Sequence, residues 1–484
     1  MHQGYRVVLI AIPNLSSPPK PFTVMKTRFL LSLTLAAAAC THALAAQFLV
    51  VIPVPGQASS KPPIQLVLHP AALPDAIAGK PYSHDFTNYL QITGDEAAQP
   101  TMAAWSADSV PSGLALNAAG LLSGSPLELS PAGKSFTVTA RYKGQSGQQV
   151  YTLRVGYETL DVVKVSAGYE HACAITVAGE LKCWGGNAQG QLGNGSSTGS
   201  NVPIQVPGLT NSVTEVAAGG AHTCAIRNST VYCWGLNSSG QLGNGNTNNS
   251  AVPVVASAAG SATALTVGGY HTCAVTTAGG IQCFGYGAGT FGFTSGVTAV
   301  ASTSYHTCVI HNGAAKCWGP NDQGQLGGGH NEGTWDVLQV QGLTSGVTSI
   351  ASGYSHSCAT KSDGTVWCWG WNEFGQIGAA GGSSAFAPVQ VPGVVGASKV
   401  VANSSYSCAS TASAVYCWGG APGLAQSPVA TTVTGFDGGS QITAGGTFMC
   451  AVGGNTAKCM GGNGSGQLGN GGGDVAAGAV PVRK

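Results

Sequence analysis

The sequence predicts an all-β protein, a seven-bladed β-propeller preceded by a small β-sandwich. Three observations carry this reading. Cysteines recur in seven closely spaced pairs from Cys173 onward, short apolar runs alternate with turns throughout, and 73 of the 484 residues are glycine. A repeat near 50 residues long that holds only short strands marks a propeller or repeat array.

The pairs are Cys173 and Cys183, Cys224 and Cys233, Cys273 and Cys283, Cys308 and Cys317, Cys358 and Cys368, Cys408 and Cys417, and Cys450 and Cys459. Their first members lie 51, 49, 35, 50, 50 and 42 residues apart, so the third and sixth units are short. If Cys224 faces Cys233 across a hairpin, counting inward leaves Asn228-Ser229 as a two-residue turn. The same count leaves Asn312-Gly313 and Gly454-Asn455, residue types that tolerate the positive φ of a type I′ turn. Where the spacing is one longer, the loops Val177-Ala178-Gly179, Thr277-Ala278-Gly279 and Ser362-Asp363-Gly364 each close on glycine, as a three-residue loop with a bulge requires. Both classes set the two cysteines opposite one another on a non-hydrogen-bonded rung, within disulfide reach. Seven cross-strand disulfides are therefore expected. Buried free thiols are the alternative. Zinc is disfavoured, because each unit offers two cysteines and at most one nearby histidine, without CxxC spacing.

In chain order, residues 1–24 read as an upstream extension, which leaves open whether Met1 or Met25 is the start. Met25-Lys26-Thr27-Arg28, the apolar run Phe29 to Ala39 and Ala43-Leu44-Ala45 form a signal peptide over 25–45. Export to a periplasmic or extracellular compartment follows, with lipid anchoring through Cys40 as the alternative, and export favours disulfides. Residues 46–69 are proline-rich and read as a linker. No later apolar run approaches the ~20 residues needed to span a bilayer.

Residues 70–156 change pattern. Alternation at Phe136, Val138 and Ala140, and at Val150, Leu153 and Val155 with one irregularity, argues for half-buried strands of a sandwich. The string Gly79, Pro81, Tyr82, Trp105, Pro111, Gly113, Leu114, Leu116, Leu122, Ser123, Gly124 and Pro126 resembles the immunoglobulin-like, cadherin-like domains of bacterial surface proteins. That resemblance implies a spacer or adhesion module. Acidic residues at calcium-ligand spacing are missing from this stretch, so no metal is expected.

The propeller is expected over 160–484, each unit supplying four strand pieces like Val213 to Gly219, His222 to Ile226, Thr230 to Gly235 and Val202 to Val206. The final piece, Val480-Pro481-Val482, has no later unit to join, so it is expected to complete one blade together with Val162 to Ala167. The repeated His-x-Cys, Cys-Trp-Gly and Asn-x-x-Gly-Gln-Leu-Gly-x-Gly motifs, the last at Asn187, Asn237, Asn321 and Asn463 and weakly at Asn372, resemble those of the regulator of chromosome condensation family. The resemblance implies a seven-bladed propeller without fixing its function. The best-known member acts on a nuclear small GTPase and binds chromatin. The leader, the missing basic surface and the lack of an insertion that could expel a nucleotide argue against guanine-nucleotide exchange here.

Composition narrows the function further. With 8% charged residues and a formal charge of +1, no basic field is available to attract nucleic acid. The Gly-Gln-Leu-Gly loops are neither GxGxxG nor Walker motifs and read as turn scaffolds. His171, His222, His271, His306 and His356 fall one to a blade and are expected to be structural. Catalytic residues, cofactors and metals are not expected. Aromatics that interrupt the repeat, Trp335 in the loop of unit four and Trp371 and Phe374 in that of unit five, are the candidate binding patch, all after the Cys-Trp-Gly strand and so on one face. The expected function is an exported, monomeric, non-catalytic binding or adhesion protein recognising a protein or glycan. The alternative is a secreted inhibitor of a cell-wall or β-lactamase-like enzyme.

Overall fold

A computed structural model describes residues 61–484 apart from Thr290, Ser304, Gly439 and Ser440. The expected upstream extension, the leader and Cys40 lie outside the described residues.

The N-terminal module packs two main sheets around Phe86, Trp105, Leu122, Phe136, Val138, Tyr151 and Leu153. One sheet orders Ala76–Ile77, Gln145–Gly156, Ser130–Tyr142 and Ala104–Ala107, and the other orders Tyr82–Asp85, Leu121–Gly124 and Leu114–Leu116. Two expectations shift here. Gln65–Leu68 pairs with Leu90–Thr93, so a strand of the module begins inside the segment read as linker. On the strand Gln145–Gly156 the inward residues are Tyr151, Leu153 and Val155 in strict alternation, while Val150 is exposed. The period of two holds without an irregularity once Tyr151 is counted as apolar.

Seven sheets follow in sequence, here called blades one to seven. Blade two shows the pattern: Val213–Ala218, His222–Arg227, Thr230–Gly235 and Ser250–Val255 form consecutive antiparallel neighbours. Turn chemistry explains the tight second connection. Asn228 and Ser229 have φ of 50° and 63°, and Asn312-Gly313 and Gly454-Asn455 are likewise positive at both positions, as type I′ turns demand. Blade six solves the same problem differently. Its turn Ala412-Ser413 carries no positive φ, and the Thr411 hydroxyl accepts from the backbone N–H groups of Ser413 and Ala414.

All seven cysteine pairs are opposed in register and disulfide-bonded, with Cα separations of 4.0 to 4.1 Å. Blade three departs from the expected four pieces. Among the described residues it has only Ala262–Val267, His271–Thr276 and Ile281–Gly285, its unit being shorter than the others.

The expected blade shared between the chain ends is not formed. Ala476–Pro481 is the outer strand of blade seven, paired with Thr456–Gly461 of its own unit, and Val162–Ala167 pairs with His171–Thr176. The loop after each third strand carries the chain back along the same sheet, so each unit supplies its own outer strand when it has one. The ends still meet side by side. Leu160 N–H donates to the Val482 carbonyl at 3.0 Å, Lys484 N–H to that of Glu158 at 2.8 Å, and Thr159 bridges Arg483. Blades one and seven share a core that includes Val162, Trp184, Phe448 and Leu468.

Candidate functional site

The repeat motifs are the seams between blades. In blade one, Asn187 Oδ1 accepts from Leu192 N–H, while its Nδ2 donates to the carbonyls of Ser196 and Thr198 and to Asn194 Oδ1. One buried amide thus ties both arms of the loop and leaves Leu192 buried. The loop then presents the Gln191 carbonyl to blade two, where it accepts from Trp234 Nε1 at 2.8 Å and Thr223 Oγ1 at 2.8 Å. Since Thr223 donates there, it must accept from His171, whose Nε2 lies 2.8 Å away. The other histidines repeat the contact: His222 with Thr272, His271 with Thr307, His306 with Ser357 and His356 with Ser407.

This geometry sets the protonation state. Where the Thr or Ser hydroxyl already donates to a glutamine carbonyl, as it does beside His171, His222, His306 and His356, Nε2–H donates and Nδ1 is a buried lone pair without a partner among the described residues. A proton there would find no acceptor, and burial disfavours the charge. Burial holds His171 and His271 down to about 4, and His222, His306 and His356 to about 3, the last three helped by neighbouring histidines. The histidines are neutral struts. No group of three or more potential metal ligands exists among the described residues.

The motifs therefore stabilise the ring, and the candidate site lies where they lapse. Among the expected patch residues, Trp371 and Phe374 meet edge to face at 5.2 Å. Trp335 belongs to the outer strand Thr334–Gln339 rather than to a loop, and it joins a different group. Its ring sits 6.2 Å from Tyr286, which lies 6.2 Å from Tyr305, itself 6.0 Å from Tyr270 and 6.2 Å from Tyr354. All five remain 37 to 52% exposed. Tyr270, Tyr305 and Tyr354 occupy first-to-second strand turns, while Tyr286 directly follows the third strand of blade three and Trp335 stands at the start of the outer strand of blade four. These positions share one end of each sheet, so the rings form a single aromatic surface across blades three, four and five. Sequence reasoning missed the tyrosines, because each reads alone as a turn residue. Their recurrence just before the histidine, at Tyr169, Tyr270, Tyr305 and Tyr354, was the available signal.

Blade three creates this surface. Lacking the Asn-x-x-Gly-Gln-Leu-Gly loop, it brings Gly287 (φ 65°) under Trp335, where a Cβ would collide with the ring. On the other side of the break, Phe291 packs 4.2 Å from Trp318. A cleft of about 430 Å³ beside it is lined by Phe291, Phe293, His311, Lys316, Val337 and Gln339.

Comparison with known proteins agrees with this construction. Residues 62–156 match the model described as "Putative Ig domain", and residues 136–423 match that of the RCC1-like domain. The ultraviolet-B receptor UVR8 of Arabidopsis thaliana is 31% identical over 234 residues, 48% of this chain and 46% of that protein. A 65-residue stretch is 40% identical to the human E3 ubiquitin-protein ligase HERC2, covering 13% of this chain and 1% of the ligase. The chain thus spans less than half the length of these relatives. Among solved structures, Prp20p of Saccharomyces cerevisiae superposes with a TM-score of 0.56 at 21% identity, over 64% of this chain and 87% of that one. That likeness concerns the fold alone. With the RCC1-like domain model matching more than half of its residues, and its motifs forming the seams between blades, the chain belongs to the RCC1-like domain family.

Proposed function

We propose that this is an exported, non-catalytic recognition protein that holds a protein or glycan partner on the aromatic face of blades three to five. The observation that carries the reading is the contiguous, solvent-facing group of Tyr270, Tyr286, Tyr305, Trp335 and Tyr354. Rigid aromatics offer large contact area at little entropic cost, and a chain in which only 8% of residues are charged favours ring stacking over ion pairing. Seven disulfides fit an oxidising compartment. The immunoglobulin-like module fits a spacer. Histone or Gsp1p binding, named for the yeast structure, is not carried over, since a formal charge of +1 provides no field to attract nucleic acid or a charged partner.

The test compares capture by the wild-type chain with capture by a Tyr305→Ala, Trp335→Ala double variant, using exported proteins and a glycan array as separate arms. Loss of at least tenfold in affinity, with the melt lowered by no more than a few degrees, supports the reading. Undiminished binding by the double variant refutes it. An enzyme captured by the aromatic face and blocked there would specify an inhibitor.

A further inference from the structure

The first strands of the blades line the central bore of the propeller. Each contacts the first strand of the next blade, and that of blade seven contacts that of blade one. A single register position places one residue of each blade at one level of the bore: Lys164, Glu215, Ala264, Ala299, Ser349, Lys399 and Gln441. All are half-buried. Side chains at this level reach toward the next blade and cap the inner edge of its first strand. Ser349 Oγ accepts from Val400 N–H at 3.3 Å, and Gln441 Oε1 accepts from Val165 N–H at 3.4 Å. Ser166, Thr266 and Thr443 do the same one level deeper, for Ala218, Ser302 and Ala167. Inner-edge N–H groups thus meet acceptors.

Lys399 breaks this pattern. Ile442 pairs with Ala451 in the register that pairs Val165 with Ala174 and Val400 with Ala409, so its N–H also faces the bore. Where blades five and seven offer an acceptor, blade six offers an ammonium group, and a donor stands beside a donor. Gln441, its Oε1 engaged by Val165, adds an Nε2 donor at the same level. Charge points the same way. Lys164 is ion-paired with Glu215, so two ammonium groups share one carboxylate. All 18 acidic residues of the chain are among the described residues, and no ion pair joins any of them to Lys399. Burial holds the Lys399 ammonium below the ordinary lysine value, the Lys164 charge adds to this, and Glu215 opposes it. An ammonium so placed calls for a counter-charge.

We infer that this level of the bore is a binding site for a small monovalent anion, a halide or a small carboxylate, held by Lys399 Nζ, Ile442 N–H and Gln441 Nε2 with Lys164 alongside. The one uncompensated positive charge matches a single negative one. Blades three, four and five set only Ala264, Ala299 and Ser349 at this level, so the rest of the ring is small and uncharged. Entry is from the end where the first strands begin, marked by the exposed Val163, Thr214, Thr263, Thr298, Thr348 and Ser398. That end is opposite the aromatic surface, on which the site does not depend. The anion joins blades six, seven and one, and blades seven and one meet where the chain ends meet, so it fastens the closure of the ring.

The test places the whole purified chain in sodium gluconate, a bulky anion, and replaces it by sodium chloride or sodium acetate at constant ionic strength. Chloride NMR linewidth should show saturable broadening, and Tm should rise as the site fills. Lys399→Met should weaken chloride binding at least about tenfold and remove the rise in Tm, whereas Lys399→Arg should keep both. Glu215→Gln, which releases Lys164 from its partner, should bind chloride several-fold more tightly. Displacement of chloride by acetate supports carboxylate as well as halide occupants, and resistance to acetate supports the halide alone. Absence of saturable broadening in the wild-type chain, or broadening unchanged by Lys399→Met, overturns the inference. If Lys399→Met does not fold, Glu215→Gln decides, and an affinity that fails to rise overturns the site.

Discussion

The seam between blades one and two and the seam between blades three and four meet the same demand by different means. In the first, the Gln191 carbonyl gathers Trp234 and Thr223, and Thr223 holds His171. In the second, the His271–Thr307 contact survives at 2.9 Å, but the loop that would bring a glutamine carbonyl is gone. Phe291 fills against Trp318 instead, Trp335 settles over Gly287, and Cys283 loses its cover. A polar hub has been exchanged for aromatic packing, part of which faces solvent. Regular seams hold the ring, and the broken one offers surface.

The largest effect that would test this contrast is reduction. Each disulfide closes about ten residues and in the chain-entropy model contributes roughly 2 to 3 kcal/mol, less any non-additivity. Reductant should lower Tm by tens of degrees, with Cys273–Cys283 opening first because Cys283 alone is half-buried; alkylation under limiting reductant, read by mass spectrometry, reports the order. An unchanged melt, or simultaneous opening of all seven, would erase the distinction.

Acid should come next. The five seam histidines are neutral in the fold with pKa values below the ordinary 6.5, so the unfolded chain takes up protons first. Stability is then full above about pH 6.5 and falls as pH drops toward 4 and 3. A guanidinium midpoint that stays constant from pH 7 to pH 4.5 would contradict the neutral state of the buried histidines.

Single tryptophans sharpen the comparison. Trp234→Ala, at a fully buried hub, should cost about 3 to 5 kcal/mol. Trp335→Ala, at 47% exposure, should cost about 1 kcal/mol and act on binding instead. Chemical denaturation separates the two, and equal losses would deny the division of labour. Between the two tryptophans falls Asn237→Ala, which removes the amide that bonds Leu242 N–H and the carbonyls of Asn246 and Asn248, for about 1 to 3 kcal/mol. Its effect should appear as local exchange in the loop of blade two while binding persists.

Much of the fold was legible because its determinants are local. Two-residue turns such as Asn228-Ser229 fix the register that opposes Cys224 and Cys233, and that arithmetic needs no tertiary information. The seams were harder to read, although a trace is present in the sequence. Each seam histidine faces a Thr or Ser of the next blade, whereas Phe448, with no ring nitrogen, faces Ala172, and Tyr406 turns its hydroxyl to the carbonyls of Gly445 and Phe448. Chain-end pairing was misjudged because an outer-strand piece looks the same whether it joins its own sheet or the next. The aromatic surface was half seen. Trp335 breaks the repeat visibly, but the tyrosines converge only when three blades stand side by side.

The central claim is that recognition resides where the repeat is interrupted. Its most direct test is a hydrogen-exchange footprint of the chain with its captured partner. Protection should concentrate in the segments holding Tyr270, Tyr286, Tyr305, Trp335 and Tyr354, and should spare the Asn-x-x-Gly-Gln-Leu-Gly loops of blades one, two and seven. Protection centred on those regular loops, with the aromatic segments unchanged, would contradict the account.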